Sequence, residues 1–564
     1  MWPFSSGNRY QIVSAKLQQR DAALSTAPEF NADEHGAFLK ATASEIVSHI
    51  ESGEWTASHV VQAYIARAAL AHQTTNCVTE VLFVEALQQA AELDAEFAST
   101  KRLRGPLHGV PLSIKDQFNV AGFDSSMGFS RLLQKPASRD ADSVALLKAA
   151  GAIPIVKTNV PQTMFSFECS NPVFGRTLNP YNAAFAPGGS SGGEAALISM
   201  DGAALGLGSD IGGSLRIPAA YCGIYSLKPS PLRVPYAGSG VVVPGFEGIV
   251  SVAGPLGRSV RDLELFCRAT FGIPGRHIGL APILYREPQL PEKLRFGYYA
   301  DNYIKASPAN KRAVMETVAA LRIQGHECIE IEVPDPMEAF DIFIGVTSAD
   351  GYQTLLSTIP PDPLDPSLKV VARLGDLPRW ISAIVAWIVT YILKDVKFAR
   401  SVRAGGTKPV REYLKWIHRR DSYNTKFYEE VWVKHELDGI IAPVQSMPQL
   451  PNLMSGRLFA LAAGTSLYNI VNNPCGVVPV TKVDPAKDML TEEWTKAPLP
   501  SMMERTLYFG KNPVYDPVKM QGMPIAVQVV GKKWEDEKVL AMMQVVDTAL
   551  TAEGRFGPGS WDRR

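Results

Sequence analysis

Nine residues between Phe185 and Cys222 are glycine, at positions 188, 189, 192, 193, 202, 206, 208, 212 and 213. That is about three times the density of an ordinary sequence, and it limits what this part of the chain can become. Without a Cβ, glycine reaches backbone angles and close approaches denied to other residues, so N–H groups here can converge on one point. A tetrahedral oxyanion requires such convergence, and the amides of Ile211, Gly212, Gly213 and Ser214 are the candidates to supply it. Tight turns also need glycine, so on its own the block reads equally as structural.

Two other motif readings fit less well. Gly188-Gly189-Ser190-Ser191-Gly192 matches G-x-S-x-G, but that motif needs a strand directly before the serine, and residues 179–187 are loop-like. Gly206-Leu207-Gly208 lacks the third glycine of a dinucleotide fingerprint.

Around this block stand three residues with a chemistry of their own: Lys115 in Ser-Ile-Lys-Asp, Ser190 in Gly-Gly-Ser-Ser-Gly-Gly, and Ser214 in Asp-Ile-Gly-Gly-Ser-Leu-Arg. Serine becomes a nucleophile only when something takes its proton. A lysine kept neutral by burial can do so through an intervening hydroxyl. The pattern points to acyl transfer. Asp210 and Arg216 are read as holding the loop in place. His108 is read as a packing or hydrogen-bonded residue, because no aspartate partner is evident beside it. No H-E-x-x-H occurs, and neither a metal nor a cofactor is implied.

With 56 Lys and Arg against 56 Asp and Glu, the chain has no global field to draw nucleic acid. Its six cysteines are dispersed without a C-x-x-C pair, as expected of reduced, buried thiols. Residues 1–24 have no apolar core of signal-peptide or spanning type. The expectation is an intracellular protein, cytoplasmic or peripherally bound to an internal membrane.

Residues 1–40 read as a weakly patterned arm, and residues 41–556 as one catalytic domain. Helical periodicity marks 47–50, 57–70, 84–97, 143–150 (ended by Gly151), 263–270 and 308–323, with Ser307 as N-cap of the last. Strand-like runs cover 107–114, 153–156, 294–299, 328–333, 439–442 and 525–530. Such alternation predicts an α/β fold, a large mixed twisted β-sheet covered by helices on both sides. Lys115 then lies at a strand exit.

Three stretches together resemble the amidase signature family: Lys157 to Asn171, Pro187 to Glu194 and Gly208 to Pro218. The likeness extends from about residue 41 to about residue 552. It implies that family's fold and a Ser-Ser-Lys triad: Ser214 as nucleophile, Ser190 as bridging serine after a cis peptide, Lys115 as base. The expected oxyanion hole is the run Ile211 to Ser214.

Residues 380–393, from Trp380 to Leu393, carry no charge. That is short of the ~20 residues a membrane span needs, and it suits either a helix at a membrane surface or a buried core helix. Between Lys394 and Arg420 there are nine Lys or Arg against two acids, a local net of +7 by subtraction. Apolar helix and basic flank together favour an anionic membrane.

This insertion, placed at 376–405, is similar to the fatty acid amide hydrolase group of the family, whose corresponding helices form a membrane cap. The resemblance implies a lipid amide substrate, a fatty acid amide or N-acylethanolamine. It also implies substrate contacts at Met164, Phe165 and Phe167, and peripheral membrane contact through Trp380, Ile384, Trp387 and Ile388. A cap of this kind often pairs with a second copy, so a homodimer is expected. The alternatives are a short-chain amidase of acetamidase type and an amidotransferase-like subunit.

Overall fold

The computed structural model describes residues 6–275, 279–375, 378–495 and 501–552. Among them are thirteen strands: β1 (Val78–Val81), β2 (Pro111–Lys115), β3 (Ile153–Thr158), β4 (Ser170–Asn171), β5 (Gly175–Arg176), β6 (Leu205–Asp210), β7 (Tyr225–Lys228), β8 (Val252–Gly257), β9 (Arg295–Tyr298), β10 (Glu327–Glu330), β11 (Gly439–Pro443), β12 (Cys475–Lys482) and β13 (Pro524–Val530). β4 and β5 form a small hairpin. The other eleven build one sheet in the order β1-β3-β2-β6-β8-β7-β12-β13-β11-β9-β10.

The sheet is mixed. β3, β2 and β6 run parallel at one side of its middle, as do β11, β9 and β10 at one edge, while β8, β7, β12 and β13 pair antiparallel between them. Successive side chains of a strand point to opposite faces. Every residue of β2, β3, β6, β8, β11 and β13 is buried, so both faces are covered. Helices supply that cover, as the α/β reading expects.

Local signals explain most boundaries. The helix Pro308–Ile323 starts where Ser307 accepts from the Asn310 amide, with Pro308 at its first position. The helix Asp142–Ala149 stops before Gly151, which takes φ +96°. The strand expected from residue 107 begins at Pro111 instead. Residues 105–110 turn first, with the His108 and Val110 amides bonded three residues back and Gly109 at φ +79°.

The amino-terminal residues form a helix, Ser6–Leu24, seated on the body. Its Lys16 is buried against Asp124 at 2.9 Å and against Glu80, and Arg9 holds Asp362 at 2.6 Å. Ile12, Val13 and Leu17 pack on Leu133, Val173 and Phe174. Residues 1–5, 376–377 and 553–556 of the expected divisions lie outside the described residues.

Candidate active site

β2 ends at Lys115, between two parallel neighbours. On one side Thr158 of β3 stands opposite Lys115; on the other, the register that pairs Ile114 with Leu207 brings β6 alongside, so that Ser209 and Asp210 emerge next to it. The carboxyl ends of adjacent parallel strands thus converge, the usual place for ligand chemistry in α/β sheets. β6 can lie this close because Gly206 has no Cβ: one built there would collide with the Glu194 carboxylate.

Lys115 is fully buried, and its Nζ lies 2.7 Å from Ser190 Oγ and 2.7 Å from Ser209 Oγ. The Gly189–Ser190 peptide is cis. Ser190 precedes the helix Gly192–Ser199, and the Ser191 amide donates to the Ser214 carbonyl at 3.2 Å, which ties the two serine loops together. Ser190 and Ser214 both open onto one cavity of about 750 Å³. The three expected residues are therefore brought to one place.

The electrostatics follow from burial. Loss of solvent pulls the Lys115 amine down to about 7, against the opposing pull of Asp210, Cys169 and Glu194. The same burial pushes the Glu194 carboxyl up to about 7, although Ser113 and Thr158 donate to it at 2.6 and 2.5 Å. Burial would also raise Asp210, but Arg216, Lys228 and Asn469 overcome it and hold that carboxyl at about 2.

Asp210 accepts from the Gly213 amide at 2.8 Å and from the Leu215 amide at 3.1 Å, the loop-holding part expected of it. Of the four amides read as an oxyanion hole, that of Gly213 is thus engaged by Asp210. Among the described residues, those of Ile211, Gly212 and Ser214 donate to no protein acceptor. His108 is buried, accepts from the Arg104 amide at 2.9 Å and packs edge-on to Phe97, away from the chemistry.

Met164 and Phe165 line the large cavity, and with Phe167 they also wall a smaller recess against Ser214. Phe165 packs on Tyr352 and Phe459, with ring centres 5.5 and 5.4 Å away. Beyond these rings a second cavity of about 250 Å³ lies among Phe340, Ile344, Val371, Phe398 and Met502, walled in part by the helix Val396–Ala404 and touched by Ser382 of the helix Arg379–Tyr391. Phe459 borders this cavity and the recess, and Tyr352 borders it and the large cavity.

The helix Arg379–Tyr391 is not a core helix. Its buried residues, Ala386 and Val389, pack with the half-buried Val385 onto Ala399 and Val402 of the next helix, Val396–Ala404. Trp380, Ile384 and Trp387 are 67%, 50% and 54% exposed, and Ile388, Tyr391 and Ile392 continue the same apolar surface. Among the described residues no helix is long and apolar enough to cross a membrane.

The basic flank is less free than its composition implies. Lys397 pairs with Glu504, Arg400 with Asp341 and Glu338, Arg419 with Glu338 and Arg420 with Asp421, while Lys408 is buried. Lys394, Arg403, Arg411 and Lys415 remain exposed, without an ion pair among the described residues.

Sequence reasoning assigned no part to Ser209, Gln117 or Glu194. Ser209 accepts from Lys115 and donates to Gln117 Oε1 at 2.6 Å, and Glu194 bridges β2 and β3 beneath Lys115. A signal was present for Ser209 and Glu194, polar residues in glycine-rich or apolar surroundings near the serines, whereas Gln117 offered only its place two residues after Lys115.

The amidase family model matches residues 59–540. The chain is 35% identical to fatty-acid amide hydrolase 1 of Sus scrofa over 526 residues, covering 91% of this chain and 86% of that one. It is 33% identical to the acetamidase of Emericella nidulans over 534 residues, covering 91% and 89%. A solved structure of a fatty acid amide hydrolase superposes with a TM-score of 0.81 at 28% identity, covering 98% of this chain and 91% of that one. With its eleven-stranded mixed sheet and a family match spanning most of its length, the chain belongs to the amidase signature family, whose members are hydrolases of amides.

Proposed function

We propose that this amidase hydrolyses fatty acid amides or N-acylethanolamines to the free acid and amine through an acyl-enzyme on Ser214. Neutral Lys115 takes the Ser190 proton while Ser190 takes that of Ser214. The Ser214 oxygen then forms its bond to the carbonyl carbon, and the carbonyl electron pair moves to the oxygen. The amides of Ile211, Gly212 and Ser214 are placed to receive that oxyanion. On collapse the C–N bond breaks, and the proton held by Lys115 returns through Ser190 to the leaving nitrogen. Water, deprotonated by the same relay, releases the acid.

One observation carries the substrate assignment. An apolar recess at Ser214 and a second apolar cavity share Phe459 as a wall, and that second cavity is edged by Ser382 of a helix whose tryptophans and isoleucines are exposed. A long acyl chain matches such a lining, and its source would be the membrane against which Trp380, Ile384, Trp387 and Ile388 dock.

The test is an acyl-length series from acetamide to oleamide, run on the purified chain alone, with and without lipid vesicles. Turnover rising toward oleamide and enhanced by vesicles is expected. A maximum at acetamide would overturn the lipid assignment, and no turnover without a partner chain would favour an amidotransferase-like subunit.

A further inference from the structure

Lys115 touches a second hydroxyl besides Ser190, and the relay does not use it. Ser209 Oγ lies 2.7 Å from Nζ and 2.6 Å from Gln117 Oε1. The Gln117 amide nitrogen donates to Tyr236 OH at 2.8 Å and faces the Gly240 carbonyl at 3.4 Å. All three residues in the chain from Lys115 to Gln117 are buried.

Chemistry sets the direction of the bonds at Gln117 and, through them, at Ser209. A carbonyl only accepts, so Gly240 fixes the amide nitrogen of Gln117 on its side and leaves Oε1 facing Ser209. Oε1 has no hydrogen, so Ser209 must donate to it. A hydroxyl has one proton, and with that proton committed Ser209 can only accept from Lys115. A neutral amine carries two N–H bonds and one lone pair. One N–H is spent on Ser209, which keeps the lone pair off that hydroxyl and leaves it, with the second N–H, on the side of Ser190.

We propose that Ser209 and Gln117 are positioning residues that aim the lone pair of neutral Lys115 at the Ser190 hydroxyl. The proposal rests on Lys115 being the base of the relay. Without Gln117, the Ser209 proton can turn to that lone pair or to the Tyr236 hydroxyl beside it, and in the first case Ser209 competes with Ser190 for the lone pair. The titratable groups acting on Lys115, namely Asp210, Cys169 and Glu194, are untouched by the variants below.

The test compares Gln117→Leu, Ser209→Ala and their double variant in amide hydrolysis across pH. Gln117→Leu should lower kcat by ~10- to 100-fold with KM little changed, a part of the ~10²–10⁴-fold that general-base catalysis supplies. Its acid limb should move to lower pH, because a hydrogen bond donated to the neutral amine disfavours the ammonium.

Removing the Ser209 hydroxyl in that background removes the competitor, so the double variant should equal or exceed Gln117→Leu. Ser209→Thr, which keeps the hydroxyl, should lose less than Ser209→Ala. Losses that multiply in the double variant, or an unmoved acid limb, overturn the proposal.

Should Gln117→Leu not fold, Gln117→Glu replaces it, since a carboxylate still accepts from Ser209. Its alkaline plateau should stay within ~3-fold while the added anion lifts the acid limb; a collapsed plateau with an unmoved limb refutes the orientation. Lys115→Met separates the two levels of the argument. If it remains active the relay itself is wrong, whereas an inactive Lys115→Met with multiplying losses overturns only the aim of the lone pair.

Discussion

Asp210 and Arg216 form an ion pair at 3.1 Å with neither side chain exposed. Arg216 also donates to the Thr465 carbonyl at 2.9 Å, to Asn469 Oδ1 at 2.6 Å and to Gln528 at 3.2 Å. The loop that carries Ser214 is therefore strapped to β13 and to the helix Ala463–Ile470. Arg216→Met removes one charge and leaves the other buried, which costs about 3–5 kcal/mol. A urea unfolding midpoint that falls accordingly is expected; an unchanged midpoint would refute the strap.

The same carboxylate has a pH signature. Its folded value is depressed from 3.8 to about 2, so its contribution to stability is present above 3.8 and is lost as pH falls through about 2. Asp210→Asn should flatten that acid limb of the stability curve.

Lys115 predicts the pH profile of catalysis. Its relay needs the neutral amine, and burial sets the titration near 7, so kcat/KM should climb through about pH 7 and level off above it. Lys115→Met should lower kcat by ~10²–10⁴-fold and abolish that limb, since general-base catalysis is worth that range. Steady-state rates from pH 5 to pH 9 check both outcomes.

Glu194 bears on the same limb from below. As a carboxylate it favours the Lys115 ammonium, which raises the pH at which the relay switches on. Glu194→Gln keeps the shape and removes the charge, so the limb should shift to lower pH, by less than ~1 unit for a single neighbour of this kind. A shift upward would show that Glu194 acts by some other route.

What could be read in the chain before its structure depends on the range of the forces involved. Ser307 before Pro308, Gly151 after Ala149 and the run of β2, uncharged up to Lys115, are local signals, and they placed those elements to within a few residues. β6 escaped notice because Leu205–Asp210 is glycine-rich and poor in strand formers; it is held as a strand by its neighbours β2 and β8.

The helix Gly192–Ser199 is buried on all sides and so has no polar face to reveal its period. The triad was legible because its motifs are contiguous. Ser209 meets Lys115 and Gln117 only through strand register, and the partners of Arg400 and Lys397 lie 59 and 107 residues away, which is why the basic flank looked more highly charged than it is.

The cap helix gives the last prediction. Ala386, Val389 and Val385 pack it onto the helix Val396–Ala404, and Trp380, Ile384 and Trp387 are half or more exposed. Replacing these three by serine leaves the Ala386 and Val389 contacts in place, trims the Trp387–Tyr391 ring contact and removes the surface a bilayer would bury.

Each such side chain is worth roughly 1.5–3 kcal/mol when fully withdrawn from water, so partition onto vesicles should weaken by at least ~10²-fold for the triple variant. Co-sedimentation with vesicles measures it, and the melting temperature and acetamide turnover in plain buffer serve as controls. Because four flank cations remain exposed, Lys394, Arg403, Arg411 and Lys415, the residual binding should be confined to anionic vesicles and should fade with salt. Undiminished partition of the triple variant would remove the membrane from the account and leave the second cavity without a source of lipid.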